Sequence, residues 1–232
     1  MRGLYAIVDT DALADVGRRG GAEIGPVAFA EAILDARPAA IQLRDKRGDA
    51  VHTLELLRSI APLAARAGVP FFANDRPDLA AFAGCDGVHL GQDDVPLSVA
   101  RGLRDAGGRA LRVGVSTHDA PQVDAALADA PDYIAMGPVF PTRSKERPSA
   151  ELGLAGLASL VARARAARPA TPLVAIGGVS AETAAFVGAL VDAVAVIGAL
   201  LPGESEENPG HALDLVRDRA RTLYRAIFEV AP

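Results

Sequence analysis

Apolar positions along the 232-residue chain fall into two kinds of run. Short segments of three to five residues, nearly continuous in apolar character, are bounded by Gly, Asp, Asn or Ser, and each leads into a longer Ala/Leu-rich stretch. The short runs are Leu4–Val8, Ala40–Leu43, Phe71–Ala73, Gly87–Leu90, Leu111–Val115, Tyr133–Met136, Leu173–Ile176 and Ala193–Ile197. Such runs suit strands buried on both faces, as in a parallel sheet covered by helices. The longer stretches predict helices over Val27–Ala36, Ala50–Ala67, Asp78–Phe82, Leu97–Ala106, Pro121–Ala128, Leu154–Ala166, Ala181–Ala189 and His211–Phe228. Asp49, Ser180 and Pro209-Gly210 stand where helices start, and Gly68 where one ends. Eight strands alternating with eight helices predict an α/β chain folded as a single-domain (β/α)8 TIM barrel over residues 1–232. An open doubly wound sheet is the rival, but no Gly-x-Gly-x-x-Gly turn follows the first strand. The polar, acidic Pro202–Pro209 stretch reads as a connector within the domain.

Composition narrows the chemistry. Half of the residues are hydrophobic but only 4% are aromatic and none is Trp, so the core is expected to be Ala, Val, Leu and Ile. The formal charge is −5 and no long basic block occurs, which argues against a nucleic-acid partner. Arg18-Arg19, the densest basic pair, reads as part of a solvated loop. Any anion must therefore be held by a few placed residues. The single Cys85 excludes an internal disulfide and a multi-cysteine metal site, and reads as a small buried residue. The first strand is far too short for a signal segment or a membrane span, so no membrane partner is expected and the cytoplasm is the expected compartment. The oligomeric state is not legible, and a homo-oligomer is left open.

In such barrels the active site lies at the C-terminal ends of the strands. Those ends carry Gln42-Leu43-Arg44-Asp45-Lys46, Asn74-Asp75-Arg76, Gly91-Gln92-Asp93-Asp94, Ser116-Thr117-His118, a long loop from Gly137, Gly177-Gly178 and Gly198. Gln42, Arg44 and Lys46 alternate, so at strand periodicity they share a face, and an amide, a guanidinium and an ammonium suit an anion rich in oxygens. Asp75 and Asp94, on adjacent strand ends, suit Mg2+, which often takes one or two protein carboxylates. Helix capping by Asp75 and Asp93 is the structural alternative. The loop after the sixth strand is stiffened by Pro138 and Pro141 and supplies Thr142, Arg143, Ser144 and Lys145. The glycines after strands seven and eight fit a backbone cradle for a phosphate. His89 reads as a satisfied structural histidine, and His118 stays open. No Ser/His/Asp or Cys/His constellation is legible, so the site is expected to work by positioning and charge stabilisation.

Taken in register, Gln42-Leu43-Arg44-Asp45-Lys46, Asn74-Asp75-Arg76, Gly87 to Asp94, Gly114-Val115-Ser116-Thr117-His118, Gly137 to Thr142 and Ala175-Ile176-Gly177-Gly178-Val179 resemble the thiamine phosphate synthase family. The resemblance implies a transferase that joins a hydroxymethylpyrimidine diphosphate to a thiazole phosphate with Mg2+, releasing pyrophosphate by a dissociative route. It implies that Gln42, Arg44, Lys46, Asn74 and Lys145 hold the pyrimidine diphosphate, that Ser116 faces the pyrimidine, and that Asp75 and Asp94 bind the metal. Thr142, Ser144, Gly178, Ile197 and Gly198 would hold the thiazole phosphate, and Lys145, Ser116 and Arg44 would be the catalytic residues. Ser144 replaces a usual Thr and Gly198 a usual Ser. A paralogous thiazole tautomerase-like group lacks the diphosphate machinery, and a non-catalytic precursor-binding barrel would not need both carboxylates and the full basic set.

Overall fold

The computed structural model describes residues 1–142 and 149–228. Its strands are β1 (Gly3–Asp9), β2 (Ala40–Arg44), β3 (Phe71–Asn74), β4 (Gly87–Leu90), β5 (Arg112–Thr117), β6 (Tyr133–Met136), β7 (Leu173–Ile176) and β8 (Ala193–Val196). Each pairs in parallel with the next, and β8 closes on β1 to complete the (β/α)8 TIM barrel. The predicted strands hold to within two residues at either end.

The helices are α1 (Thr10–Arg18), α2 (Pro26–Leu34), α3 (Ala50–Ala67), α4 (Pro77–Ala83), α5 (Leu97–Gly102), α6 (Ala120–Asp129), α7 (Gly153–Ala167), α8 (Ala184–Gly188) and α9 (Pro209–Phe228), with a 3-10 turn, η1, at Gly198–Leu200. Asp49 caps α3 by accepting the His52 N–H at 2.8 Å, and Gly68 ends it in the left-handed region. Three expectations are corrected. Helix α1 was not anticipated, and it absorbs Arg18, which pairs with Asp15 on the same helix, while Arg19 closes it and pairs with Glu204. Helix α5 stops at Gly102 instead of Ala106, and α8 begins at Ala184, three residues late, after a Ser180–Thr183 turn.

Two apolar layers follow from strand alternation. One lies between the strands and the helices and includes Cys85, whose thiol pKa burial pushes up to about 12. The other fills the barrel: Tyr5, Ile7, Ala40, Phe72, Tyr133, Ala135, Val174, Ala193 and Ala195. At the N-terminal rim one device repeats. Asp86, Asp132 and Asp192, each just before an even-numbered strand, accept the N–H of Phe71, Val113 and Leu173 at 2.7–2.9 Å. That rim is stitched for stability, and the opposite rim is left for chemistry. No described helix is long and apolar enough to cross a membrane.

Few aromatics reach the barrel interior, and they are packed against one another. The Phe72 and Tyr133 rings meet edge to face at 5.6 Å, and Tyr5 meets Tyr133 at 5.7 Å. Gly114 makes room for this, because a Cβ there would lie 1.9 Å from Cζ of Tyr133. Gly114→Ala should therefore lower the unfolding free energy by about 1–3 kcal/mol through overpacking, read by urea denaturation. An unchanged midpoint would mean that the ring has another place to go.

Candidate active site

The C-terminal rim is assembled from strand ends that lie far apart in sequence. Arg44, the last residue of β2, is only 15% exposed and donates to Asp9 at the end of β1, which is 2% exposed. Asp9 also caps α1, accepting the Ala12 N–H at 2.9 Å. A helix N-terminus thus steadies the carboxylate that steadies the arginine. Just beyond, Asp45 accepts from Thr10 and Thr53 at 2.8 Å and from the Gly48 N–H at 3.1 Å. It braces the turn that carries Lys46, so it is no idle surface charge.

Lys46 forms an ion pair with Asp75. Asp75 sits in the left-handed region (φ 61°), with its N–H held by the His89 carbonyl at 2.8 Å. Asp94 is anchored by the Gly91 N–H at 2.6 Å. Burial, then a hydrogen bond with Asp75, raises the Asp94 pKa, opposed by the Gly91 N–H and by Lys46. The two carboxylates therefore meet, as expected. Neither Asp75 nor Asp93 caps a helix: Arg76 and Pro96 occupy the N-cap positions of α4 and α5, without side-chain capping bonds. Among the described residues no cluster of three or more His, Cys, Asp or Glu could hold a metal. Two facing carboxylates nevertheless suit a divalent ion taking its remaining ligands from substrate oxygens and water. The donor set fits Mg2+.

Gln42 and Ser116 lie deeper than Arg44 and Lys46. Gln42 is 2% exposed and donates to the Tyr5 hydroxyl at 2.9 Å, and Ser116 meets His89 Nε2 at 2.8 Å. Both His89 nitrogens are engaged, Nδ1 with the Tyr133 hydroxyl at 2.8 Å, so its structural reading holds. Asn74 ends β3 on the same face as Phe72, and its carboxamide bonds to no other described residue. The Gln92 amide donates to the Ser116 carbonyl at 2.6 Å. His118, left open above, donates from Nδ1 to the Gly137 carbonyl and so ties the next loop to β5.

That loop is anchored at both ends. Val139 and Phe140 donate to the Ile176 and Gly177 carbonyls at 2.9 and 3.0 Å, and Leu152 and Gly153 return to Pro138 and Val139 at 2.9 Å. Thr142 is half-buried, while Arg143, Ser144 and Lys145 lie outside the described residues. Gly177 and Gly178 are required sterically, since their Cβ atoms would meet Pro138 at 2.6 Å and the Pro141 carbonyl at 2.4 Å. Their N–H groups, like those of Gly198 and Ala199 beside Ile197, donate to no other described residue. Gly198 itself is under no constraint: nothing lies within 4 Å of an added Cβ.

A closed parallel barrel with cations, paired carboxylates and spare N–H groups on one rim defines a barrel enzyme built around anionic substrates. The family described as thiamine monophosphate synthase matches residues 4–200. Thiamine-phosphate synthases of Salmonella dublin and Salmonella agona are 41% and 42% identical over 201 residues, covering 85% of this chain and 83% of theirs. Thiamine phosphate pyrophosphorylase from Pyrococcus furiosus superimposes with a TM-score of 0.72 at 28% identity, covering 95% of this chain and 96% of that one. A 2-keto-3-deoxy-6-phospho-gluconate aldolase from Zymomonas mobilis, at 15% identity and TM-score 0.65 over 99% and 96% of the two chains, shares the fold alone. The chain belongs to the thiamine monophosphate synthase family, and it is a transferase that forms thiamine phosphate.

Removing Asp9 should strand the buried Arg44 guanidinium and uncap α1. Asp9→Ala is expected to destabilise the fold by about 3–5 kcal/mol, read by urea unfolding. A loss below about 1 kcal/mol would show that Arg44 reaches water unaided.

Proposed function

We propose that the enzyme joins 4-amino-2-methyl-5-(diphosphooxymethyl)pyrimidine to 4-methyl-5-(2-phosphoethyl)thiazole, or its carboxylate, with Mg2+ held by Asp75 and Asp94. The observation that carries this reading is the Asp75–Asp94 pair, with Lys46 against it, on the rim that also bears Arg44. Paired acids beside cations make little sense for a simple monoester site, but they match a diphosphate bound through a cation.

Arg44 and Lys46, joined by Lys145 from the strand-six loop, take the diphosphate oxygens, and Asn74 stands beside them. Gln42 and Ser116, below, take the pyrimidine edge, with the ring lying over the aromatic floor of Tyr5, Phe72 and Tyr133. Thr142, Ser144 and the N–H groups around Gly177, Gly178, Ile197 and Gly198 take the thiazole phosphate. When bound, Mg2+ neutralises charge on the departing diphosphate. The bond from the pyrimidinylmethyl carbon to oxygen breaks with its electron pair leaving on pyrophosphate. The thiazole nitrogen lone pair then forms the new C–N bond, and no proton has to be removed from it; with the carboxylate, CO2 also leaves, its bonding pair stays on the ring carbon, and that carbon takes a proton from water. The site accordingly needs placed charges more than a general base.

Asp94→Ala should cut the rate of thiamine phosphate formation about a hundredfold at saturating substrates. Its unfolding free energy should change by less than about 1 kcal/mol. Full activity at ordinary Mg2+ would remove the metal assignment. Because a side chain fits at position 198, Gly198→Ser should add a phosphate hydrogen bond and lower KM for the thiazole phosphate about fivefold. An unchanged KM would place that phosphate elsewhere.

A further inference from the structure

The polar side chains inside the barrel form one continuous chain. Gln42 Nε2 donates to Tyr5 Oη at 2.9 Å, and Tyr5 Oη meets Tyr133 Oη at 2.8 Å. Tyr133 Oη meets His89 Nδ1 at 2.8 Å, and His89 Nε2 meets Ser116 Oγ at 2.8 Å. All five residues are buried, none more than 8% exposed. The chain runs through the barrel from Gln42 on β2 to Ser116 on β5, and the backbone carbonyl of His89 in turn holds the Asp75 N–H at 2.8 Å.

Counting protons gives the chain a direction, because each phenol has only one to donate. Tyr5 accepts from Gln42, so its own proton goes to Tyr133. The Tyr133 proton then goes to His89 Nδ1. A neutral ring with a bare Nδ1 carries its proton on Nε2 and donates it to Ser116 Oγ. With the Gln42 amide placed to donate to Tyr5, any other assignment leaves a phenolic proton aimed at nothing in a dry interior, which is heavily penalised; turning that amide over would run the whole chain the other way, so the Gln42 orientation sets the direction. Burial also raises the pKa of both tyrosines, so both protons are present at neutral pH.

The direction sets what the two ends offer. Gln42 spends one of its two N–H groups on Tyr5, which leaves its carbonyl oxygen and the other N–H, and no buried side-chain oxygen or nitrogen among the described residues lacks a partner. That oxygen is therefore reached from the mouth. Ser116 accepts from His89, which leaves its O–H to donate. The Gln42 oxygen and the Ser116 O–H together complement the edge of a 4-aminopyrimidine, whose amino group donates and whose ring nitrogen accepts. A 4-oxopyrimidine presents the reverse pattern.

We propose that Tyr5, Tyr133 and His89 are positioning residues that lock the hydrogen-bond polarity of Gln42 and Ser116, and that this polarity selects an aminopyrimidine over an oxopyrimidine diphosphate. The inference rests on the pyrimidine reading given above. Packing alone would be served as well by Phe at both tyrosine positions. Instead two of the chain's three tyrosines stand here, Gly114 reserves the space for one of them, and His89 stacks on it at 5.6 Å and 16°.

Two readouts test the proposal. The first needs no substrate: nitrogen NMR of the histidine-labelled protein, with the His89 signal assigned by its loss in His89→Gln. The expected result is a neutral ring protonated on Nε2, and Tyr133→Phe should mix the two tautomers. A wild-type ring protonated on Nδ1 overturns the polarity. The second compares kcat/KM for the amino diphosphate and its 4-oxo analogue. Tyr133→Phe and Tyr5→Phe, each shown to be folded by circular dichroism, should reduce the wild-type preference by about tenfold or more. KM for the thiazole phosphate should stay within about twofold, because the cradle after β7 and β8 is separate. An undiminished preference in both variants overturns the proposal. A wild-type protein that forms no thiamine phosphate overturns the substrate reading and the selection claim with it, leaving the tautomer result to judge the chain of bonds by itself.

Discussion

No water reaches the middle of a filled barrel, so a polar group placed there must be answered by another polar group. Five side chains from five strands meet that demand through the bonds linking Gln42, Tyr5, Tyr133, His89 and Ser116. Much of the interior depends on this line. Tyr133 fits only because position 114 is glycine, and its ring supports Phe72 and Tyr5 on one side and His89 on the other. The aromatic floor so formed separates a stitched N-terminal rim from a charged C-terminal one. Chemistry is thereby confined to a single mouth.

On that mouth the charges are arranged before any substrate arrives. Arg44 rests on Asp9, Lys46 on Asp75, and Asp75 on Asp94, while Asp45 braces the turn between the two cations. A protein with net charge −5 can still attract a diphosphate at such a place, since local geometry outweighs the distant field. The acids do more than balance the bases. They orient them, and a cation bound between Asp75 and Asp94 would relieve the crowding of the two carboxylates. Arrangement in advance is also what a dissociative substitution needs, because the cost of orienting charge is met in folding.

The barrel was legible because the strands are largely buried on both faces and so read as nearly continuous apolar runs. Helix α1 was not, since Thr10–Arg18 buries only Leu13 and Val16 and its start signal, Asp9, doubles as the end of a strand. An Asp before Thr-Asp was the available clue. The rim residues could be read one strand end at a time, but their pairings could not. Asp9 and Arg44 are 35 residues apart and Tyr5 and Tyr133 are 128 apart, so only barrel closure makes them neighbours. Gln42 was read with Arg44 and Lys46 as a group holding the pyrimidine diphosphate; its buried bond to Tyr5, 37 residues away, could not be read. The glycine pair after β7 was read as a phosphate cradle; its first constraint is steric, from the Pro138–Pro141 segment lying over it.

The most direct test of the account is pyrophosphate release from the purified protein given the pyrimidine diphosphate, the thiazole phosphate and Mg2+, with each component left out in turn. The account predicts release only when all three are present, with thiamine phosphate appearing in equal amount. Release that does not need the thiazole phosphate, or none from a folded protein that binds it, would contradict the account.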